Sequence, residues 1–432
     1  MKLKILLVNP WIYDFAAYNL WARPLGLLKV AEYLSAYDVD LSYIDCTDSF
    51  EIKKYGAGRF RSEAVEKPDI LKNVPLQYRR YGIAIDEFVE RVKAFMPFDM
   101  VMITSVMSYW YPGVQEAIKI VREICEDVPI HLGGIYATLY HEHASAHSGA
   151  DFIYKGPVNK GFDFSLYTFG FRVKRKRARV PYYRLGLYDR YPFAPLLTAT
   201  GCPFNCPYCA SRILSAEYCR RPADDVLREI RELYSIGVRD FAFYDDALLV
   251  DPDNNIKPVL RSIVNEKLDA RFHVPNGAHA RLIDKELAGL MHTANFRTIR
   301  LSLETVNADR QRSTGNKVNN FDLEKSVKLL KGQGFTKKEI GIYIMYGLPG
   351  QDIEEVQEGI NFLKSLNVRI NLTEFSPIKD TQSWAELVRK GVINDDIDPL
   401  LTNNTFFSYL YSGYNSDRIN KIKLDVKGYN SA

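Results

Sequence analysis

The stretch Gly201–Ala210, GCPFNCPYCA, sets Cys202, Cys206 and Cys209 in a Cys-x3-Cys-x2-Cys array, with Tyr208 just before the last thiol. Thiolates are the usual ligands of iron–sulfur clusters, and gaps of about two to four residues let one loop wrap a compact cluster. Three thiolates on a four-iron cluster leave one iron free to chelate a substrate or cofactor. Structural zinc asks instead for four ligands, commonly as two separated Cys or His pairs, and no Cys-x2-Cys partner occurs elsewhere in the chain. Cys219, ten residues further on, offers a fourth thiolate and with it a closed structural or electron-transfer centre.

The spacing, the Tyr before the third Cys and the preceding run FAPLLTATG resemble the signature loop of the radical S-adenosylmethionine (SAM) enzymes. The resemblance implies a 4Fe-4S cluster on Cys202, Cys206 and Cys209, with SAM chelating the fourth iron. The reduced cluster would then break the sulfonium to give methionine and a 5′-deoxyadenosyl radical, which abstracts hydrogen from an unactivated carbon. It also implies an electron donor such as a flavodoxin or ferredoxin.

Composition is consistent with this and adds limits. At 432 residues the chain is long enough for about three units, and 47% hydrophobic residues supply sizeable cores. A net charge of +4 is too small to argue for nucleic acid or a membrane surface. MKLKILLVNP reads as a strand, since it has no cleavage-site pattern, and no apolar run is long enough to span a bilayer. Six cysteines, three of them clustered, do not look like a secreted disulfide framework. The expectation is a cytoplasmic protein in a strongly reducing cell.

Residues 1–156 alternate strand and helix. Lys4–Asn9, Val39–Ile44, Met100–Thr104, Pro129–Leu132 and Asp151–Tyr154 read as strands, and Leu25–Leu34, Phe88–Phe95 and Val114–Ile124 as helices; residues 46–80 are irregular. This pattern predicts a doubly wound, Rossmann-like parallel sheet whose ligand lies at the strands' carboxyl ends. Ser105-Val106-Met107 and Gly133-Gly134 fall at those ends. They resemble the Ser-x-Leu and Gly-Gly motifs of the cobalamin-binding domain in front of many radical SAM enzymes, which marks Ser105, Met107, Gly133 and Gly134 as cobalamin candidates. Taken alone, each is also a tight strand-to-helix turn. The family's Asp-x-His-x-x-Gly is missing: the first loop reads NPWIYDFAAYNLW, and the first histidine of the chain is His131. Relatives without it hold cobalamin with the lower face unligated or keep the domain as scaffold, and both alternatives stay open here.

Residues 157–192 form a connector with the basic run Arg172–Arg179, read as a solvated face. From 193 to 378 the strand–helix alternation resumes. The strand before the cysteines is followed by Phe241–Tyr244, Arg271–Val274, Thr298–Leu303, Ile340–Met345 and Arg369–Phe375. Six such repeats predict a partial (β/α)6 barrel with chemistry at the strands' C-terminal ends. There lie Asp245, Asp246, Asn276, Ser302, Glu304 and Gly347, which with Tyr208 the resemblance implies as SAM contacts. The alternatives are helix capping for either aspartate, a Pro-Asn-Gly turn around Asn276, and an ion pair of Glu304 with Arg300 or Arg297. Residues 379–432 read as an α-rich extension containing the aromatic stretch NNTFFSYLYSGY.

The function expected is thus a radical SAM enzyme, with a cobalamin-dependent methyltransferase at unactivated carbon among its forms. Two alternatives stand beside it: a radical SAM enzyme whose first domain is only scaffold, and a non-enzymatic sensor or electron carrier closed by Cys219. A methylthiotransferase fits poorly, because the first domain holds only Cys46 and Cys125. The substrate is not legible in the sequence.

Overall fold

The computed structural model describes residues 2–52, 58–158, 162, 178–411 and 415–432. Most of the basic run Arg172–Arg179 and the end of the aromatic stretch (412–414) lie outside the described residues. The chain divides into two compact units, Met1–Arg190 with Ile397–Thr402, and Tyr191–Asp396 with Asn403–Ala432.

In the first unit, β1 (Leu3–Asn9), β2 (Val39–Asp45), β3 (Met100–Ile103), β4 (Ile130–Leu132) and β5 (Phe152–Ile153) pair in parallel in the order β2-β1-β3-β4-β5. Ile5 to Val8 are fully buried, as a continuous apolar run must be when helices cover both faces of a sheet. Helix α1 (Leu25–Leu34) follows Pro24 and buries Leu27, Leu28, Ala31 and Leu34 at helical spacing. Helix α2 spans Ile85–Ala94. Helix α3 (Tyr111–Ile124) buries Val114, Ile118 and Val121 on one face, beginning nearly a turn earlier than the apolar stripe because Pro112 is tolerated in a first turn. The strand order reverses between β1 and β3, which opens the crevice in which such sheets bind ligands.

The irregular stretch 46–80 contributes two small antiparallel sheets. One pairs Ile12–Asp14 and Ser62–Ala64 with Arg79–Tyr81, the other Tyr18–Asn19 and Phe50–Ile52 with Gly58–Phe60. Their strands are only two or three residues long, too short to leave a readable alternation. The described end of the connector packs within the same unit: Tyr188 Oη donates to Asp45 at 2.6 Å, and Val180 N donates to Ser35 Oγ at 2.8 Å. The stretch expected as a separate extension is divided between the units. Asp398 accepts from Tyr111 Oη at 3.1 Å in the first, while the helix Ser416–Ser431 belongs to the second.

His131 of β4 is 7% exposed and packs on Phe152, ring centres 4.8 Å apart. Burial pushes its pKa down to about 4, against the opposing pull of Asp151. The unfolded chain therefore binds a proton below about pH 6.5 that the folded one refuses, and stability falls as pH drops from there toward 4. The slope approaches about 1.4 kcal/mol per pH unit for one such histidine. Urea midpoints at pH 7.5 and pH 5 check this: the drop should shrink in His131→Leu, and an unchanged drop would refute the assignment.

The second unit holds six parallel strands, β6 (Ala194–Leu196), β7 (Asp240–Phe243), β8 (Arg271–His279), β9 (Phe296–Glu304), β10 (Ile340–Tyr346) and β11 (Arg369–Glu374), in sequential order. Helices Ala223–Ser235, Ile256–Asn265, Lys285–Thr293, Asn320–Gly332 and Ile353–Ser365 alternate with them. This is the expected partial barrel. Phe241, Phe272 and Phe296 stack across three neighbouring strands at 5.6 Å spacings. Each such buried ring contributes about 1.5–3 kcal/mol. One local reading changes: Pro275-Asn276-Gly277 is part of strand β8, which shifts register between Val274 and Ala278 instead of turning. A Cβ at Gly277 would lie 1.8 Å from Ser302 Oγ, so a larger residue here would displace the Ser302 side chain. No helix among the described residues is long and apolar enough to cross a membrane.

Candidate functional site

The cysteine loop leaves the C-terminal side of β6, between the short strands Ala199–Thr200 and Cys219–Arg220, which pair antiparallel. Asp245, buried at the end of β7, anchors its entry. Asp245 Oδ1 accepts from Thr198 N at 2.8 Å, Thr198 Oγ1 at 2.7 Å and Ala199 N at 2.6 Å. Burial pushes the Asp245 carboxyl up to about 6, with these hydrogen bonds opposing the shift. Its oxygen Oδ2 finds no protein partner. Asp245 therefore acts as an anchor of the loop, and the exposed Asp246 stands beside it. Neither caps a helix.

Cys202 and Cys206 are half-buried and Cys209 is exposed. Burial pushes the Cys202 thiol up to about 11 and raises Cys206 too, although Lys317 opposes the latter. The protein alone does not make these sulfurs thiolates; a metal centre would, releasing their protons as it binds. Among the described residues, no three His, Cys, Asp or Glu side chains converge on one metal-ion position. A four-iron cluster does not ask for that, since each thiolate takes a different iron. Cys219 is exposed on the hairpin strand, opposite Thr200.

Around this loop the strand ends supply a polar wall. Glu304 ends β9 at φ +69°, beyond a register shift between Ser302 and Glu304. Its Oε1 accepts from Lys317 Nζ at 2.7 Å, so its ion pair is with Lys317. Arg297 pairs with Glu339, and Arg300 donates to the Ile299 and Glu339 carbonyls. Burial opposes the charge of Lys317, yet the adjacent Glu304 carboxylate holds its pKa above the ordinary lysine value. Lys317 Nζ also lies 5.6 Å from the Tyr208 ring centre, which brings Tyr208, Glu304 and the cysteine loop together. Ser302 is buried and registers with His279 on β8. Asn276 Nδ2 donates to the Tyr244 carbonyl at 3.2 Å. Gly347 follows β10 at φ +85°.

Two groups here are not among the contacts that the resemblance implies. Lys317 sits in the polar turn Thr314–Lys317, thirteen residues past Glu304, and carries no motif. His279 stacks on Phe204 of the cysteine loop, ring centres 4.1 Å apart, and its Nδ1 finds no protein partner. Burial, with Lys317 and Arg281 nearby, pushes its pKa down to about 3. The Tyr208 hydroxyl is likewise buried without a partner. Buried unpaired polar atoms are costly.

The first unit has its own pocket at the β1/β3 crevice, lined by Asn9, Trp11, Arg23, Thr47, Ser105 and Met107 among others. Ser105 and Met107 border it directly. Gly133 and Gly134 instead buttress Ser105, whose Oγ donates to the Gly133 carbonyl at 2.9 Å. A Cβ at Gly134 would lie 2.3 Å from Ser105 O.

Comparison with known proteins adds to this geometry. The family model described as the radical SAM superfamily matches residues 196–363. An uncharacterized methyltransferase of Pyrococcus horikoshii is 24% identical over 346 residues, 72% of this chain and 74% of the relative. The hopanoid C-2 methylase of Rhodopseudomonas palustris is 23% identical over 62% of this chain, which spans about half (54%) of that relative. Among solved structures, the radical SAM methyltransferase TsrM from Kitasatospora setae, with cobalamin and a [4Fe-4S] cluster bound, matches with a TM-score of 0.64. That match has 16% identity and covers 90% of this chain and 75% of the other. At that identity the likeness speaks for the fold, a Rossmann-like unit followed by a barrel.

Proposed function

We propose that this chain, whose residues 196–363 match the radical SAM superfamily model, is a SAM-cleaving enzyme of the cobalamin-dependent methyltransferase type. The observation that carries the proposal is the Cys202/Cys206/Cys209 loop, anchored by Asp245 and walled by Tyr208, Glu304 and Lys317 at the strands' C-terminal ends. When bound, the cluster and SAM supply one-electron cleavage of a sulfonium, and cobalamin supplies a methyl carrier.

The residues present fit these groups. The three cysteines hold the cluster and leave one iron open. Glu304, Ser302, Asn276 and the unpaired Tyr208 hydroxyl offer hydrogen bonds to an amino acid and a ribose, and Gly347 lets the backbone approach a flat ring. In the first unit, Ser105 and Met107 with the Gly133-Gly134 turn support a large flat ligand at the switch point. The names of the relatives, methyltransferase and C-2 methylase, favour methyl transfer. The loop after β1 holds no histidine, and buried His131 lies within β4, so the proposal assigns no imidazole beneath the cobalt. A low-potential cluster needs a small one-electron donor, a flavodoxin or ferredoxin, and a reducing compartment such as the cytoplasm.

The test uses anaerobically reconstituted protein with dithionite and SAM, assayed for 5′-deoxyadenosine and S-adenosylhomocysteine. Hydroxocobalamin retention through gel filtration is followed in parallel by absorbance. Nucleoside products and stoichiometric cobalamin are expected. A full cluster complement with neither product nor any SAM-induced change in the reduced cluster's EPR signal would overturn the enzymatic reading. SAM cleavage without cobalamin retention would leave the first unit as scaffold.

A further inference from the structure

Lys317 and Glu304 form an ion pair at 2.7 Å with side chains only 13% and 9% exposed. Burying such a pair costs desolvation that its attraction repays poorly, so stability is a weak reason for its presence. Its position supplies a better one. Two residues before Lys317, Gly315 packs against the cysteine loop so closely that a Cβ there would stand 3.6 Å from Cys206 Sγ. The ammonium itself lies 5.6 Å from the ring of Tyr208, two residues after Cys206. Arg281, the next cation toward this loop, sits over Phe204 at 5.2 Å and bonds to the Asn316 carbonyl, so it belongs to the same wall.

A charge held in a partly dry site acts over several ångströms with little screening. A cluster on three thiolates gains one negative charge on reduction, and nearby charge is among the levers that set its potential. We propose that Lys317 and Glu304 are a positioning pair that sets the reduction potential of the cluster, Lys317 raising it and Glu304 lowering it. This rests on the reading that Cys202, Cys206 and Cys209 hold a 4Fe-4S centre. The step concerned is the uptake of one electron from an external donor by the oxidised cluster, with no bond made or broken. The pair keeps the local charge near zero until a ligand arrives, and it orients Glu304 at the strand end.

Counting charge makes the test. Dithionite titrations followed by EPR, without SAM, give the midpoint of the wild type and of Lys317→Met, Glu304→Gln, the double variant and Lys317→Arg. The expected order is Lys317→Met lowest, wild type, double variant and Lys317→Arg together, and Glu304→Gln highest. A purely structural role would move the single variants and the double in the same sense, and that result overturns the proposal, as do five indistinguishable midpoints. Should Lys317→Met fail to assemble a cluster, Glu304→Gln decides: an upward shift supports the assignment and no shift refutes it. Wild-type protein that assembles no cluster at all would overturn the parent reading, a failure visible before any midpoint is measured.

Discussion

The Cys206→Ala variant is expected to hold no stable cluster and to release 5′-deoxyadenosine only at background. The array has three thiols for three irons and no spare. Cys206 is also the middle thiol of the array, half-buried against Gly315 and close to Lys317. Alanine removes a ligand and its charge from a site where nothing else among the loop residues can replace either. Loss of a ligand exceeds the effect of losing an outer-shell partner, so a fall of more than about 100-fold in SAM cleavage is expected. Iron and sulfide analysis with the 5′-deoxyadenosine assay checks it. Cys219→Ala is the matched control, because its thiol is exposed on the hairpin strand and bonds only weakly toward Arg220 O. The variant should keep its cluster and cleave SAM within about twofold of wild type, the surface-substitution range. A cluster lost or altered in Cys219→Ala as well would point instead to a closed electron-transfer centre.

Two adjacent glycines give the second large effect, because the structure treats them differently. Gly134 sits at φ +95°, and a Cβ there would meet Ser105 O at 2.3 Å and Ser105 N at 2.7 Å. Both are backbone atoms of the segment that borders the first unit's pocket, and no rotamer change can move them aside. Gly134→Ala should therefore cost about 2–5 kcal/mol, summing backbone strain and overpacking. It should also displace Ser105 and weaken cobalamin retention more than about tenfold, a penalty of only about 1.4 kcal/mol. Gly133 has no atom within 4 Å of a built Cβ, so Gly133→Ala should melt close to wild type. Thermal denaturation of the two variants, with cobalamin co-elution, separates them. Equal melting temperatures would show that the turn does not brace Ser105.

How much of this was readable beforehand differs element by element. The strands of both sheets were legible because each is an apolar run bounded by a turn, and a parallel sheet covered on both faces needs such runs. The antiparallel pieces within 12–81 were not, since strands of two or three residues carry no period. The Pro275-Asn276-Gly277 stretch carries every local sign of a turn, yet a strand runs through it. There the neighbouring strand's Ser302 and the bulge decided, and local propensity lost to packing.

The site divides the same way. The cysteine spacing is local chemistry: three ligands within eight residues must wrap whatever they bind, wherever the chain goes. Asp245 and Glu304 were findable as carboxylates at strand ends, but their partners were not. Asp245 turned out to hold the backbone of Thr198 and Ala199, forty-six residues and more away. Glu304 pairs with Lys317 and not with Arg300 or Arg297, four and seven residues earlier on its own strand, because Arg300 is taken up by the Ile299 and Glu339 carbonyls and Arg297 by the Glu339 carboxylate. The sequence by itself determined the repeating α/β order, the cysteine array and the glycines at strand ends, all set by contacts within a few residues. Only the tertiary structure decided which buried charges meet, that His279 stacks on Phe204, and that Gly134 braces Ser105. Those pairings join segments tens of residues apart, and the chain pattern encodes that such groups must be satisfied without encoding by whom.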